Sequence, residues 1–157
     1  MKVIYDDRYQ TVYSSDPASA PGRMESICDE LQGDLEFVEP KPAKEEDILL
    51  VHSLHHVDSV KTHTLVYETA LLAVGGATKA SQSAMQSEPA FGLIRPPGHH
   101  ASRDSSWGFC YFNNVAVAIE KLRLETRIKR ALIVDIDLHY GDGTANIFAS
   151  SPNVVYF

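Results

Sequence analysis

The chain is 157 residues long with 44% hydrophobic and 22% charged residues, the make-up of one ordinary globular unit, which excludes both a multidomain machine and a disordered segment. Fourteen Lys and Arg against 21 Asp and Glu leave a formal charge of −7, so the basic footprint of a nucleic-acid or anionic-membrane binder is missing and no direct partner of either kind is expected. Cys28 and Cys110 lie far apart with no Cys-x-x-Cys spacing, which argues against a disulfide framework or a zinc ribbon and for a reducing, cytoplasmic setting.

In chain order, Val3-Ile4-Tyr5 is a β-like triplet, followed by a loop punctuated by Pro17, Pro21 and Gly22. The acids Asp6 and Asp7 fall where an export signal would carry its apolar stretch, so none is expected. Met24, Ile27, Cys28 and Leu31 recur at helical spacing and predict a short helix ending near Gly33. Leu35-Glu36-Phe37-Val38 predicts a strand stopped by Pro40 and Pro42. Glu45, Glu46 and Asp47 suit the first turn of a helix that continues through Ile48-Leu49-Leu50-Val51. His52, His55, His56 and His63 are taken as surface or helix-packing residues. Residues 64–85 form the longest helical candidate, and Gly75-Gly76 in its middle costs about 1 kcal/mol per glycine relative to alanine. A closely packed neighbour is the expected compensation.

Ala90-Phe91-Gly92-Leu93-Ile94 is a candidate buried strand, and Val115, Ile119 and Leu122 mark a helix within residues 112–124. Ala131-Leu132-Ile133-Val134 is the unbroken apolar run typical of a central parallel strand. Residues 141–149 suit a loop turning into a short helix, and Val154-Val155-Tyr156-Phe157 suits a last strand. Strands alternating with helices predict βαβ units on a parallel sheet. The apolar ending suggests a sheet continuing beyond Phe157, and an exposed edge of that kind invites self-association.

In such a sheet, functional groups gather beyond the carboxyl ends of the strands. His99-His100 follows one apolar strand and Asp135-Ile136-Asp137-Leu138-His139 another, so both clusters fall on one rim. In an extended backbone Asp135, Asp137 and His139 share a face, with Asp135 deeper and the other two in the mouth. A carboxylate and an imidazole suit Zn²⁺, with Fe²⁺, Co²⁺ and Mn²⁺ as competitors. The bland reading makes the aspartates helix caps and His139 a packed histidine. His99 and His100, on a backbone limited by Pro96 and Pro97, can serve as general base and acid near neutral pH, with Asp142 as an orienting partner or else a helix cap. Trp107-Gly108-Phe109-Cys110-Tyr111-Phe112 defaults to core, although Gly108 beside Phe109 could wall an apolar slot. Cys110 has no base of its own and is taken as a buried thiol.

Three segments together carry a resemblance: Arg95-Pro96-Pro97-Gly98-His99-His100-Ala101, then Gly108-Phe109-Cys110-Tyr111-Phe112-Asn113-Asn114, then Val134-Asp135-Ile136-Asp137-Leu138-His139-Tyr140-Gly141-Asp142-Gly143. In this order they resemble the zinc-dependent histone deacetylase family, which includes acetylpolyamine amidohydrolases and acetoin-utilisation proteins. The resemblance implies a three-layer α/β/α fold of the arginase/deacetylase type with a mostly parallel sheet, incomplete here. It implies zinc held by Asp137 and His139, proton transfer by His99 and His100, pairing of His99 with Asp135 and of His100 with Asp142, and an acyl-lysine tunnel walled by Gly108 and Phe109. A monovalent cation near Asp135, Asp137 and His139 is implied as well. The implied substrates are acetylated lysine or acetylated amines, hydrolysed to acetate and a free amine. The third zinc ligand and the oxyanion-stabilising residue of the family would lie beyond Phe157. Residues 1–157 are therefore expected to be the N-terminal part of a single deacetylase domain, without an internal boundary and inactive alone.

Three rivals remain at this level. A haloacid-dehalogenase-like phosphatase would use Asp135 and Asp137 as nucleophile and acid but leaves His99-His100 unexplained. An arginase-like dimetal ureohydrolase needs more carboxylates than one compact cluster supplies. A non-catalytic binding or assembly module would use the exposed sheet edge.

Overall fold

A computed structural model describes residues 1–126 and 128–157. The strands are β1 (Lys2–Ile4), β2 (Glu36–Val38), β3 (Ala90–Gly92), β4 (Ala131–Ile133) and β5 (Val154–Tyr156). The helices are α1 (Arg23–Leu31), α2 (Glu45–Ile48), α3 (Leu54–Lys61), α4 (Thr64–Met85), α5 (Asn114–Glu125) and α6 (Asp142–Phe148). All described strand pairs are parallel, in one sheet ordered β2-β1-β3 and a second made of β4 and β5. Val3 and Ile4 on β1 are both fully buried, so this strand is covered on both faces, as a three-layer α/β/α fold requires.

The 22-residue α4 is the spine of the packing. Its Leu72 and Ala73 join Val3, Tyr9, Met24 and Cys28 in one apolar cluster. Its Ala70 and Val74 join Ile48, Val57, Phe112, Val117 and Phe148 in the other. The two helical glycines lie where neighbours come closest. A Cβ on Gly75 would fall 1.9 Å from the Lys41 carbonyl oxygen, and one on Gly76 2.5 Å from Ile94 Cγ2 and 2.8 Å from the Tyr9 hydroxyl. The expected compensation for their poor helix propensity is therefore present.

Three expectations are corrected. The apolar strands β3 and β4 are not buried centres: Phe91 is exposed and Leu132 is 66% exposed. Each pairs with a single described strand, and no described strand joins the two sheets, so their outward side chains lack cover. Helix α2 is one turn, not a helix running to Val51, because Leu50 and Val51 donate to the carbonyls of Asp47 and Ile48 and the tightened backbone turns His52 inward. On α5 the buried face is Ala116, Val117, Ala118 and Leu122, whereas Val115 is exposed. Small residues let α5 approach α4 closely, and of the bulky residues that mark the helix Leu122 is buried and Ile119 packs against the core, so only Val115 departs from the buried face. Among the described residues, no helix is long and apolar enough to cross a membrane.

Candidate active site

Two loops build the site, each leaving the carboxyl end of a parallel strand. The loop after β3 carries His99 and His100 and is tied down before it reaches them. Asn114 Nδ2 donates to the Pro96 carbonyl at 2.9 Å, and Gly98 lies so close to the start of α5 that a Cβ there would meet Asn114 N and Phe112 O at 2.6 Å. After it, Thr144 N–H of α6 donates to the His99 carbonyl at 3.0 Å. The loop after β4 leaves regular pairing beyond Ile133, yet its alternation persists: Ile136 and Leu138 are 92% and 94% exposed, while Asp135, Asp137 and His139 turn toward the histidines. Asp135 is the deepest of the three, as expected, and His139 is the most exposed.

His99 Nδ1 lies 2.9 Å from Asp135 Oδ2 and His100 Nδ1 lies 2.6 Å from Asp142 Oδ1. An ionised carboxylate only accepts, so both imidazoles carry their neutral-state proton on Nδ1 and leave Nε2 for chemistry. Burial raises the Asp135 carboxyl pKa, but hydrogen bonds from His99, Tyr156 and the Asp137 N–H outweigh it and hold the group below the ordinary carboxylate value. At Asp142 burial likewise acts upward and is overcome by hydrogen bonds from His100 and Trp107. Asp142 is the first residue of α6, and its side chain points to His100 rather than capping the helix. The two histidine rings are 4.1 Å apart, and His139 stands 6.0 Å from His100.

Asp137 Oδ1 and His139 Nδ1 are 3.2 Å apart. A tetrahedral ion with bonds of roughly 2.0–2.1 Å spaces its ligands about 3.4 Å apart, so the pair fits one zinc-sized ion. Asp137 is held below the usual carboxylate range chiefly by the His139 N–H, against some burial, and so stays anionic. Among the described residues no group of three His, Cys, Asp or Glu side chains surrounds one metal position.

His99, His100, Trp107, Gly108, Asp137 and His139 share a cavity of about 530 Å³. Gly108 has φ +61°, and a Cβ there would fall 2.6 Å from His100 Cδ2, so only glycine lets this wall approach the imidazole. Phe109, also at positive φ, is not in that lining and instead packs against Tyr13 and Tyr111. Trp107, expected in the core, is 56% exposed at the cavity. Cys110 is buried, its thiol pushed up to about 12 by that burial, in keeping with an inert group.

Several residues that position the site are not evident from sequence reasoning. His52 Nδ1–H donates to the Ser102 carbonyl at 2.8 Å, and its Nε2 accepts the Asn113 N–H at 2.9 Å. His56 Nε2–H donates to the Tyr111 carbonyl at 2.7 Å. Both are buried and clamp the two ends of the segment that presents Gly108, whereas His55 and His63 are exposed as expected. The i, i+4 spacing of His52 and His56 was the available signal. Trp107 Nε1–H donates to Asp142 Oδ2 at 2.9 Å, and the Tyr156 hydroxyl donates to Asp135 Oδ2 at 2.8 Å. For Tyr156 the signal is faint: the β4–β5 register sets it beside Ile133, two residues before Asp135.

A family model described as the histone deacetylase domain matches residues 17–157. A protein named "Probable deacetylase" from Methanothermobacter thermautotrophicus is 37% identical over 174 residues, covering 99% of this chain and 53% of that protein. One named "Polyamine deacetylase HDAC10" from Danio rerio is 36% identical over 140 residues, covering 74% of this chain and 21% of its own length. The crystal structure of the HDA15 HD domain superposes with a TM-score of 0.90 at 28% identity, over 99% of this chain and 53% of that one. The chain thus spans about half, or less, of the length of these relatives.

Proposed function

We propose, from the premise that the chain belongs to the histone deacetylase domain family, that it carries the histidine and aspartate part of a zinc-dependent site that removes acetyl groups from acetyl-lysine or acetylpolyamine-type amides. The observation that carries this reading is the meeting of two histidine–aspartate pairs with Asp137 and His139 around one cavity. Asp137 and His139 would hold the zinc, which when bound would polarise the acetyl carbonyl and acidify the attacking water. His99 Nε2 sits 3.9 Å from Asp137 Oδ1, beside that position. With Nδ1–H committed to Asp135 and Asp142, the Nε2 atoms are the free bases of the site. One takes a proton as the water oxygen bonds to the carbonyl carbon, and a proton returns to nitrogen as the C–N bond breaks, giving acetate and an amine. Gly108 would form one wall for the acyl chain, and a monovalent cation is proposed near Asp135, Asp137 and His139. A phosphatase nucleophile at Asp135 is disfavoured, since its oxygens already accept from His99, Tyr156 and the Asp137 N–H.

Two ligands do not close a catalytic zinc site, which ordinarily has three protein ligands. The 157 residues alone are therefore proposed to be inactive, and activity to belong to the completed domain. The two buried, unpaired thiols suit a cytoplasmic setting. The test joins this chain to the remaining part of the Methanothermobacter relative and measures acetate release from an acetyl-lysine peptide and an acetylated polyamine. The joined protein should release acetate only with zinc and lose that activity in Asp137→Ala, while the chain alone releases none. A joined protein that binds zinc but hydrolyses neither amide sinks the reading.

A further inference from the structure

We infer that Trp107 and Tyr156 are positioning residues, each giving the carboxylate of one histidine–aspartate pair an additional, aromatic donor that fixes the neighbouring imidazole. A carboxylate tied only to its own histidine and its own loop can turn about its side-chain torsion and release the histidine. A side-chain donor from outside the segment that carries the aspartate opposes that turn. At His100, Asp142 accepts from the imidazole on Oδ1 and from the Trp107 indole N–H on Oδ2, at 2.6 and 2.9 Å. The indole also stacks on the His100 ring, with centroids 3.8 Å apart and planes 29° apart. Indole nitrogen donates and never accepts, so it cannot compete for the histidine proton.

At His99 the geometry is parallel but the device differs. Asp135 Oδ2 accepts from His99 and from the Tyr156 hydroxyl, while Oδ1 accepts from the Asp137 N–H at 3.1 Å. The Gly141 N–H donates to the phenol oxygen at 3.0 Å, which occupies its accepting side and aims its one proton at Asp135. Gly141 has no room for a side chain there: a Cβ would fall 2.4 Å from the Tyr156 hydroxyl, 2.5 Å from Asp135 Oδ2 and 3.0 Å from His99 Cβ. Tyr156 comes from β5, which carries neither member of its pair, whereas Trp107 lies in the same β3–α5 loop as His100 and ties that loop to Asp142 at the start of α6.

The test is the tautomer of each histidine, read from long-range ¹H–¹⁵N spectra of the 157-residue chain above the ordinary histidine titration range. The unaltered chain should show His99 and His100 with the proton on Nδ1. Trp107→Phe should remove that uniform state from His100 alone, and Tyr156→Phe from His99 alone. His52, with its proton on Nδ1, and His56, with its proton on Nε2, report the fold in the same spectra and should not change. Unchanged tautomers at His99 and His100 overturn the inference, and so does a joint change of all four histidines, which would mark the aromatics as packing only. A kinetic arm rests on the deacetylase reading: in the zinc-loaded joined protein each variant should lower kcat about 10- to 100-fold with KM little altered. If the unaltered joined protein is inactive, that reading fails while the spectra still decide the roles of Trp107 and Tyr156.

Discussion

His52 is 1% exposed and uses both ring nitrogens, one to donate to Ser102 and one to accept from Asn113. A second proton would destroy the accepted bond, and burial, aided by neighbouring His56, lowers its pKa from 6.5 to about 4. Because the folded value lies below the unfolded one, this stabilisation is fully present above the ordinary histidine range and is lost as pH falls from there toward the folded value. The loss between neutral pH and one unit above the folded value is about 2 kcal/mol. Urea unfolding at those two pH values should show it, and His52→Gln, which cannot titrate, should flatten the difference. An equal pH slope in both proteins refutes this account of His52. At Gly141, alanine would wedge a methyl among Tyr156, Asp135 and His99. Gly141→Ala should cost the joined protein roughly 10-fold or more in acetate release while leaving the circular dichroism unchanged. Asp137→Asn should weaken zinc binding, read by titration calorimetry of the same protein, because the site loses its anionic ligand.

At the scale of elements, α4 shows how much local pattern can determine and where it stops. Its ends at Thr64 and Met85 were legible from a continuous helical pattern, and the pair Gly75-Gly76 flagged a close neighbour. Which neighbour was not legible, because the Lys41 carbonyl and Ile94 come from distant parts of the chain. Propensity alone predicts that alanine at either glycine stabilises the helix by about 1 kcal/mol. Packing predicts the reverse sign, since overfilling costs typically 1–3 kcal/mol. Gly75→Ala should be the more damaging, because it meets a backbone oxygen, while Gly76→Ala meets the movable side chains of Ile94 and Tyr9. Thermal unfolding of the two variants checks both sign and order. The same limit explains α5, where Ala116 and Ala118 share the buried face with Val117 and Leu122 and only the partner helix reveals it.

For the whole molecule, the two sheets leave β3 and β4 each with one described neighbour, and Leu132, Val134 and Val155 stay exposed beside them. Apolar surface at an open strand edge promotes pairing with another chain, opposed here by the net charge of −7. Sedimentation of the 157-residue chain should therefore show concentration-dependent association that strengthens with added salt, which screens the charge. A monomer at every concentration and salt level would contradict this.

By itself the sequence determined the alternation of strands and helices, the chain-order positions of the two polar clusters and the residue types able to hold zinc and move protons. Those features depend on periodicity and on motifs only a few residues long, which neighbours in the chain suffice to express. Only the tertiary structure decided that β3 and β4 stand at open edges, that His52 and His56 clamp the loop presenting Gly108, and that Trp107 and Tyr156 reach Asp142 and Asp135. Each of these joins residues tens of positions apart, and such contacts exist only once helices and strands pack and fix the distances between them.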